Sequence, residues 1–446
     1  MNPIKIAFFT HQKLTTALEY LRIIGPISFT KNKIFRSAEN NEDVYNYIKQ
    51  ANLVVIQRDF PADFNFYNDI YKISRELKKP LVYDLDDNLF ILPENHPDRK
   101  SSIYSRALIP MLQAAFDADF LTVTSESFKR ELEDVNPNIF ILPNFLDDQI
   151  WQLLPPKEPL AEKPLTIGYM GGDSHKPDLE FIAPTLCEIK DKYSEKIRYY
   201  FYGVKPPDSI LAYKDTVWES VKTYQYNEFA KDFQQTNVDL LIAPLINNKF
   251  NQCKSAIKFF EYSSLGIPGI YSRIFPYEQI IVDGENALLA ESLQEWSKKI
   301  QLLINNPDLG YQIAINAQRT VKDNYLMSEN SDIWTKTYNQ IIKTGVTKEN
   351  PNSELQHLVR CITEQMGEYY EYCDKKEQEL QKEIEYQKQD NQSLKIEVKT
   401  QKQLIQELQK EVEIHKTEIL YYALSKSWNI TRPLRKIAGF FKGNRS

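Results

Sequence analysis

The chain has 446 residues, 42% of them hydrophobic and 26% charged, with a net charge of −6 and a pI near 5.7. At about 100–200 residues per domain this length requires more than one core, and the composition excludes wholesale disorder and a polytopic membrane protein. The acidic balance gives no electrostatic footprint for nucleic acid, so no nucleic-acid partner is expected. Only 13 residues are glycine, so a glycine-rich phosphate loop cannot be assumed.

The four cysteines, Cys187, Cys253, Cys361 and Cys373, form neither a CxxC pair nor a His/Cys metal spacing, which suits a reducing compartment. The amino terminus, MNPIKIAFFTHQK, lacks the basic start and long apolar stretch of a secretory signal. A cytoplasmic protein is expected.

Short β-branched or aromatic runs at 4–9, 53–57, 81–84, 120–124 and 139–142 alternate with polar, helix-compatible stretches. Apolar runs separated by helices predict a parallel sheet covered on both faces, one α/β domain over 1–153. His11 follows the first run, where a strand end would face a ligand. In VYDLDDNLF, Asp84, Asp86 and Asp87 close the third run. They could bind a divalent metal, orient an acceptor hydroxyl or act as a base, or cap the next helix. His96 lies in a polar loop just beyond and could assist an acceptor.

Four prolines in LPPKEPLAEKP, 154–164, forbid helix interior and sheet centre and mark a linker. The pattern then restarts, with runs at 165–170, 198–202, 239–244 and 267–271 predicting a second domain over 154–345. Two Rossmann-like halves would face one another across a cleft lined by strand carboxyl ends, the expected site. Gly171 and Gly172 end the first run of this half, where backbone can approach a phosphate closely, and Lys176 can supplement the following helix start.

A helix is predicted over 255–265, followed by Gly266 and Pro268. Spacings of four and three would align Lys254, Lys258 and Glu261 on one face. Two ammonium groups near a helix start suit a diphosphate, and a carboxylate one turn on suits ribose hydroxyls. Intrahelical ion pairing is the plain alternative.

After Pro351 no proline occurs until Pro433, and Glu, Lys and Gln dominate. One heptad register places Ile384, Asn391, Val398, Ile405, Val412 and Ile419 at a, and Leu380, Gln387, Leu394, Gln401, Leu408 and His415 at d. β-branched a positions with Leu at d favour a parallel two-stranded coil, and a single Asn at a fixes register. A coiled-coil homodimer through 350–419 is expected. The last segment, 420–446, carries Lys426, Arg432, Arg435, Lys436, Lys442 and Arg445 with no acid. Interleaved apolar residues make it a candidate basic amphipathic tail for an anionic membrane surface, with a partner-binding tail as the alternative.

The stretch KSAIKFFEYSSLGIPGIYS, 254–272, resembles the donor-binding signature of GT-B glycosyltransferases, especially the retaining group that includes many bacterial polysaccharide and lipopolysaccharide transferases. LTIGYMGGDSHKPDLEFI, 165–182, resembles the first strand and loop of their donor domain. The resemblance implies a GT-B fold over 1–345 and a nucleotide-diphosphate sugar as co-substrate, with no metal or other cofactor for the chemistry. It implies a lipid-linked or growing glycan as acceptor at the inner membrane face, and a last helix crossing back onto the first domain, for which 329–342 with Trp334 and Tyr338 is the candidate. The family has two glutamates eight positions apart, the second contacting the ribose. Glu261 matches the second, but Cys253 replaces the first, with Asn251 or Lys254 as stand-ins. A sugar-nucleotide 2-epimerase on the same fold, or an inactive dimeric scaffold of a polysaccharide-assembly complex, are the alternatives.

Overall fold

The computed structural model describes residues 3–11, 16–37, 43–158, 163–347 and 354–425, with residues 431 and 435. The chain divides into two units, Met1–Gly367 and Glu368–Ser446. The first unit holds two six-stranded parallel sheets.

In the first sheet, β1 (Lys5–Phe9), β2 (Lys33–Ser37), β3 (Leu53–Gln57), β4 (Leu81–Asp84), β5 (Phe120–Val123) and β6 (Ile139–Ile141) lie in the order β2-β1-β3-β4-β5-β6. β3, in the middle, is buried along its whole length. Its alternate residues divide between two cores, Val54 and Ile56 on one face and Leu53 and Val55 on the other. That period-two split is why a strand covered by helices on both sides reads as an unbroken apolar run.

The second sheet repeats the plan with β7 (Leu165–Gly171), β8 (Ile197–Gly203), β9 (Thr216–Glu219), β10 (Leu240–Ala243), β11 (Gly269–Ser272) and β12 (Leu288–Ala290). Their order is β12-β11-β10-β7-β8-β9. Three strands escape the sequence reading: β2, β9 and β12, each at a sheet edge. β9 (TVWE) has one half-buried and three exposed residues, so no apolar run marks it.

Two segments join the halves. The first leaves β6 through Leu146, which is buried in the core of the second half together with Trp151. The second returns through Tyr325 and Met327, and the two crossings bond to each other: Leu146 N donates to Tyr325 O (2.9 Å) and Met327 N to Leu146 O (2.7 Å). Helix Asp332–Thr344 then packs Trp334, Tyr338 and Ile341 against Ile6, Phe8 and Val55 of the first sheet. Trp334 Nε1 donates to the carbonyl of Arg22 (2.8 Å), which ties the helix to the segment 17–28.

Helix Glu354–Leu424 begins against the first domain. The fully buried Asp117 accepts from Gln356 Nε2 (2.8 Å) and from Arg360 NH2 (2.6 Å), and also from Tyr67 and Gln113. Val359 and Thr363 are buried beside it. Farther along, residues 375–422 are all exposed, and the heptad residues Leu380, Ile384, Leu394, Val398, Ile405, Leu408 and Val412 stay about half exposed on the single helix. Among the described residues no helix is long and apolar enough to cross a membrane. Of the tail over 420–446, residues 426–430, 432–434 and 436–446 lie outside the described residues.

Candidate active site

Between the halves lies a pocket of about 270 Å³ lined from both sides. The second domain contributes Gly172, Ser174 and His175 from the loop after β7, Tyr277, and Lys254, Ser255, Ile257 and Lys258 around the start of helix Ile257–Ser264. From the first domain come Leu18, Leu21 and Arg22 of the helical segment 17–28, with Asp86, Asp87 and Asn144.

Lys258 is almost buried, with Nζ 3.3 Å from Tyr169 Oη and 5.1 Å above the ring. Burial pushes its ammonium down to about 7, partly offset by Asp178. Lys254 precedes the helix, which starts at Ile257 behind the N-cap Ala256, later than the spacing argument placed it. Its Nζ lies 3.3 Å from both oxygens of Asp87 in the opposite domain and 4.5 Å above the Phe250 ring. Burial favours the neutral Asp87 carboxyl, but Lys254 and Arg58 outweigh it and hold the group below its ordinary range.

His175 meets Asp178 through Nδ1 (2.9 Å), and burial with the nearby Lys258 pushes the imidazole down to about 4. Asp178 in turn accepts from Ile246 N (2.8 Å). The two glycines of the loop differ in role. A Cβ on Gly171 would lie 2.4 Å from Tyr169 Oη, so that glycine serves strand packing, whereas Gly172 faces open space. An unobstructed backbone at Gly172, just ahead of helix Lys176–Tyr193, matches an anion-binding helix start.

The three aspartates at the end of β4 and just beyond it all meet cations. Asp84 is fully buried and takes Arg22 NH2 (2.8 Å) and Nε (3.3 Å), while Arg22 also donates to Leu142 O and Asn144 Oδ1. Asp86 sits 3.7 Å from Arg58, and burial pushes its carboxyl up to about 6. Its Oδ1 has no hydrogen-bond partner among the described residues. Arg58 has a left-handed backbone (φ 41°) and touches Asp59 and Tyr104 as well.

The remaining sequence candidates fall outside the pocket. Glu261 is buried and accepts from Tyr226 Oη (2.8 Å), which accepts from Trp151 Nε1 (2.9 Å); burial pushes the carboxyl up to about 7. Asn251 donates to Ile246 O (2.9 Å) and reaches Asp178 at 3.4 Å, which ties down the β10 loop. Cys253 and Phe250 are packed into the core of the first domain, and the Cys253 carbonyl accepts from Ser125 Oγ (3.1 Å) and Thr124 Oγ1 (3.3 Å). His96 is buried edge-on to Phe250 at 5.1 Å, its Nδ1 accepting from Asp98 N (3.2 Å). His11 packs on Phe60 at 5.2 Å, and Lys176 is an exposed helix start.

Arg22, Asn144, Ser255 and Tyr277 also line the pocket and lie outside the sequence candidates. For Arg22 a signal existed: a lone cation inside the apolar run YLRIIGPI is either buried and paired or misplaced. Nothing local marks Asn144.

Residues 183–334 match the family model described as "Glycosyl transferase-like". No curated protein matches the sequence. Solved structures similar to the chain include Anabaena HepE in complex with UDP-glucose (11% identity, TM-score 0.55) and the sucrose-phosphate synthase of Thermosynechococcus elongatus (11%, 0.52), each over 76% of this chain and 100% of its own. A glycosyltransferase from Rickettsia africae is similar at 12% identity and TM-score 0.51, over 77% of this chain and 100% of that one. Sheet order, cleft and these matches together make the first unit a two-domain protein of the GT-B glycosyltransferase fold, with a glycosyl transferase-like second half.

Proposed function

We propose that the chain transfers a sugar from a nucleotide-diphosphate sugar to a glycan or lipid-linked acceptor, with retention at the anomeric carbon. The observation that carries the reading is the pocket itself: two lysines, an imidazole and an open glycine backbone from one domain face carboxylates of the other. A diphosphate against Lys254, Lys258 and the backbone at Gly172 would have its departing charge stabilised by groups already in place. Its arrival would compete with Asp87 for Lys254, freeing a carboxylate on the acceptor side. Asp86, which lines the pocket with its carboxyl pushed up to about 6 by burial, is the proposed hydrogen-bond partner of the acceptor hydroxyl. HepE, solved with UDP-glucose, supports a uridine diphosphate sugar as the first donor to try. The chemistry is proposed to need no metal ion, so EDTA should leave turnover unchanged.

The chain is further proposed to act as a parallel dimer through 350–419, at the cytoplasmic membrane face, with the basic residues of 420–446 drawn to anionic lipid. Truncation after residue 419 should then abolish binding to phosphatidylserine vesicles.

One observation favours the scaffold reading: Cys253 is locked in the first-domain core and Glu261 is engaged by Tyr226, so neither is free to grip a donor. Isothermal titration with UDP-glucose and other UDP-sugars decides. Binding lost in Lys258→Ala supports a transferase, and no binding by any common nucleotide sugar would leave the scaffold.

A further inference from the structure

A second concavity, of about 830 Å³, also bridges the two halves and shares one wall with the active-site pocket. That wall is the helical segment 17–28. Leu18, Leu21 and Arg22 point into the active-site pocket, whereas Tyr20 and Ile24, four residues apart and so on one face, line this second groove. Part of the segment, Tyr20–Ile24, is π-helical, a geometry that concentrates at functional positions.

The lining of the groove is unusual in its chemistry. Six of its residues are amides, among them Gln149 and Gln152 of the crossing segment and Gln225 and Asn227 around the start of helix Tyr226–Gln234. Among the described residues no carboxylate lines it. The one cation among its described lining residues, Lys231, is 3.0 Å from Glu228. Gln234 is consumed internally: it accepts from Gln152 N (2.9 Å) and donates to Ile150 O (3.0 Å). Tyr20 cannot swing away, because its hydroxyl donates to Asp147 (2.6 Å) and its ring lies 5.4 Å from that of Tyr226.

We infer that this groove binds a neutral oligosaccharide. An amide presents a donor pair and an acceptor side by side, which matches adjacent hydroxyl groups, and it does so without the charge that would favour phosphate or nucleotide. A fixed aromatic ring offers the apolar face of a pyranose a surface at little entropic cost. Among the described residues an apolar peptide helix would find Tyr20, Ile24, Ile150 and Leu154 interrupted by the six amides. The inference goes beyond the donor reading and does not depend on it, since a saccharide can be held here whether or not one is transferred.

Saturation-transfer NMR on the full chain, with malto-, cello-, laminari- and chito-oligosaccharides as probes, tests it. At least one probe should receive saturation, and UDP should not displace it. Gln152→Ala combined with Gln225→Ala should weaken that binding about tenfold, the loss of two hydrogen bonds, while UDP-glucose affinity stays as in the parent. An unchanged melting temperature of the double variant serves as the check on folding. Transfer to none of the probes, displacement by UDP, or affinity unchanged in the double variant would each overturn the inference. Failure of UDP-glucose to bind would overturn the donor reading alone.

Discussion

Lys258 offers the sharpest test, because burial has moved its ammonium into the range where ordinary buffers change its charge. With the group pushed down to about 7, about nine-tenths of the free protein carries the charge at pH 6 and about one-tenth at pH 8. A diphosphate beside it restores the ordinary, higher value, so binding requires the protonated form. Affinity for UDP-glucose should fall about tenfold from pH 6 to pH 8, with uptake of about one proton at pH 8. UDP-glucose is the right ligand because its diphosphate is esterified at both ends and does not titrate in this window. Calorimetry in two buffers of different ionisation enthalpy reads both quantities.

Glu261, pushed up to about 7 by the same burial, acts in the same direction, since its charge appears as pH rises. Glu261→Gln removes that contribution and should leave the slope in place. Lys258→Arg keeps the cation throughout and should flatten it. The stability of the free protein moves oppositely. Lys258 loses its proton on folding between pH 7 and its unfolded value, so stability rises with pH across that window, and Lys258→Met should stabilise the free protein by at least about 1 kcal/mol at pH 7. An affinity flat between pH 6 and pH 8, or a Lys258→Met variant that melts lower and still binds, would refute the assignment.

Arg22→Met leaves Asp84 charged in the interior and should cost about 3–5 kcal/mol in urea unfolding; a cost below about 1 kcal/mol would mean the pair is not closed in solution. Arg360→Ala removes the cation that Asp117 faces, and amide exchange over 354–363 should accelerate while β4 stays protected. In sedimentation equilibrium the full chain should be a dimer, and Val398→Lys with Ile405→Lys should make it a monomer with unaltered UDP-glucose affinity; a monomeric parent would remove the coiled coil.

What could be read from sequence followed physical isolation of the signal. β3 and β4 were legible to the residue because central parallel strands are apolar on both faces. β2, with lysine and arginine in KIFRS, and β9, with three exposed positions, were not, because an edge strand has only one neighbour and need not hide both sides. Within the site, Lys254 and Lys258 could be picked out by spacing, although only Lys258 lies on the helix. Glu261 looked equivalent to them by periodicity, yet it turns into the core toward Tyr226, a residue 35 positions earlier whose approach no local pattern announces. The same limit hid Asn144 and the insertion of Phe250 and Cys253 into the opposite domain. Helical spacing states which side chains share a stripe, whereas the partner that meets the stripe is set by the tertiary path.

The bond pair between Leu146 and its neighbours at Tyr325 and Met327 constrains how the halves can move. A single covalent strap would let one lobe swivel in any direction about the other. Two straps bonded side by side resist the twisting that one strap would permit. Helix Asp332–Thr344, carried past those straps onto the first sheet, travels with the first lobe although it follows the second in the chain. The separation of Asp87 and Lys254, 3.3 Å here, is the distance that any parting of the two walls must lengthen, and a pair of fluorophores placed across those two loops would report it.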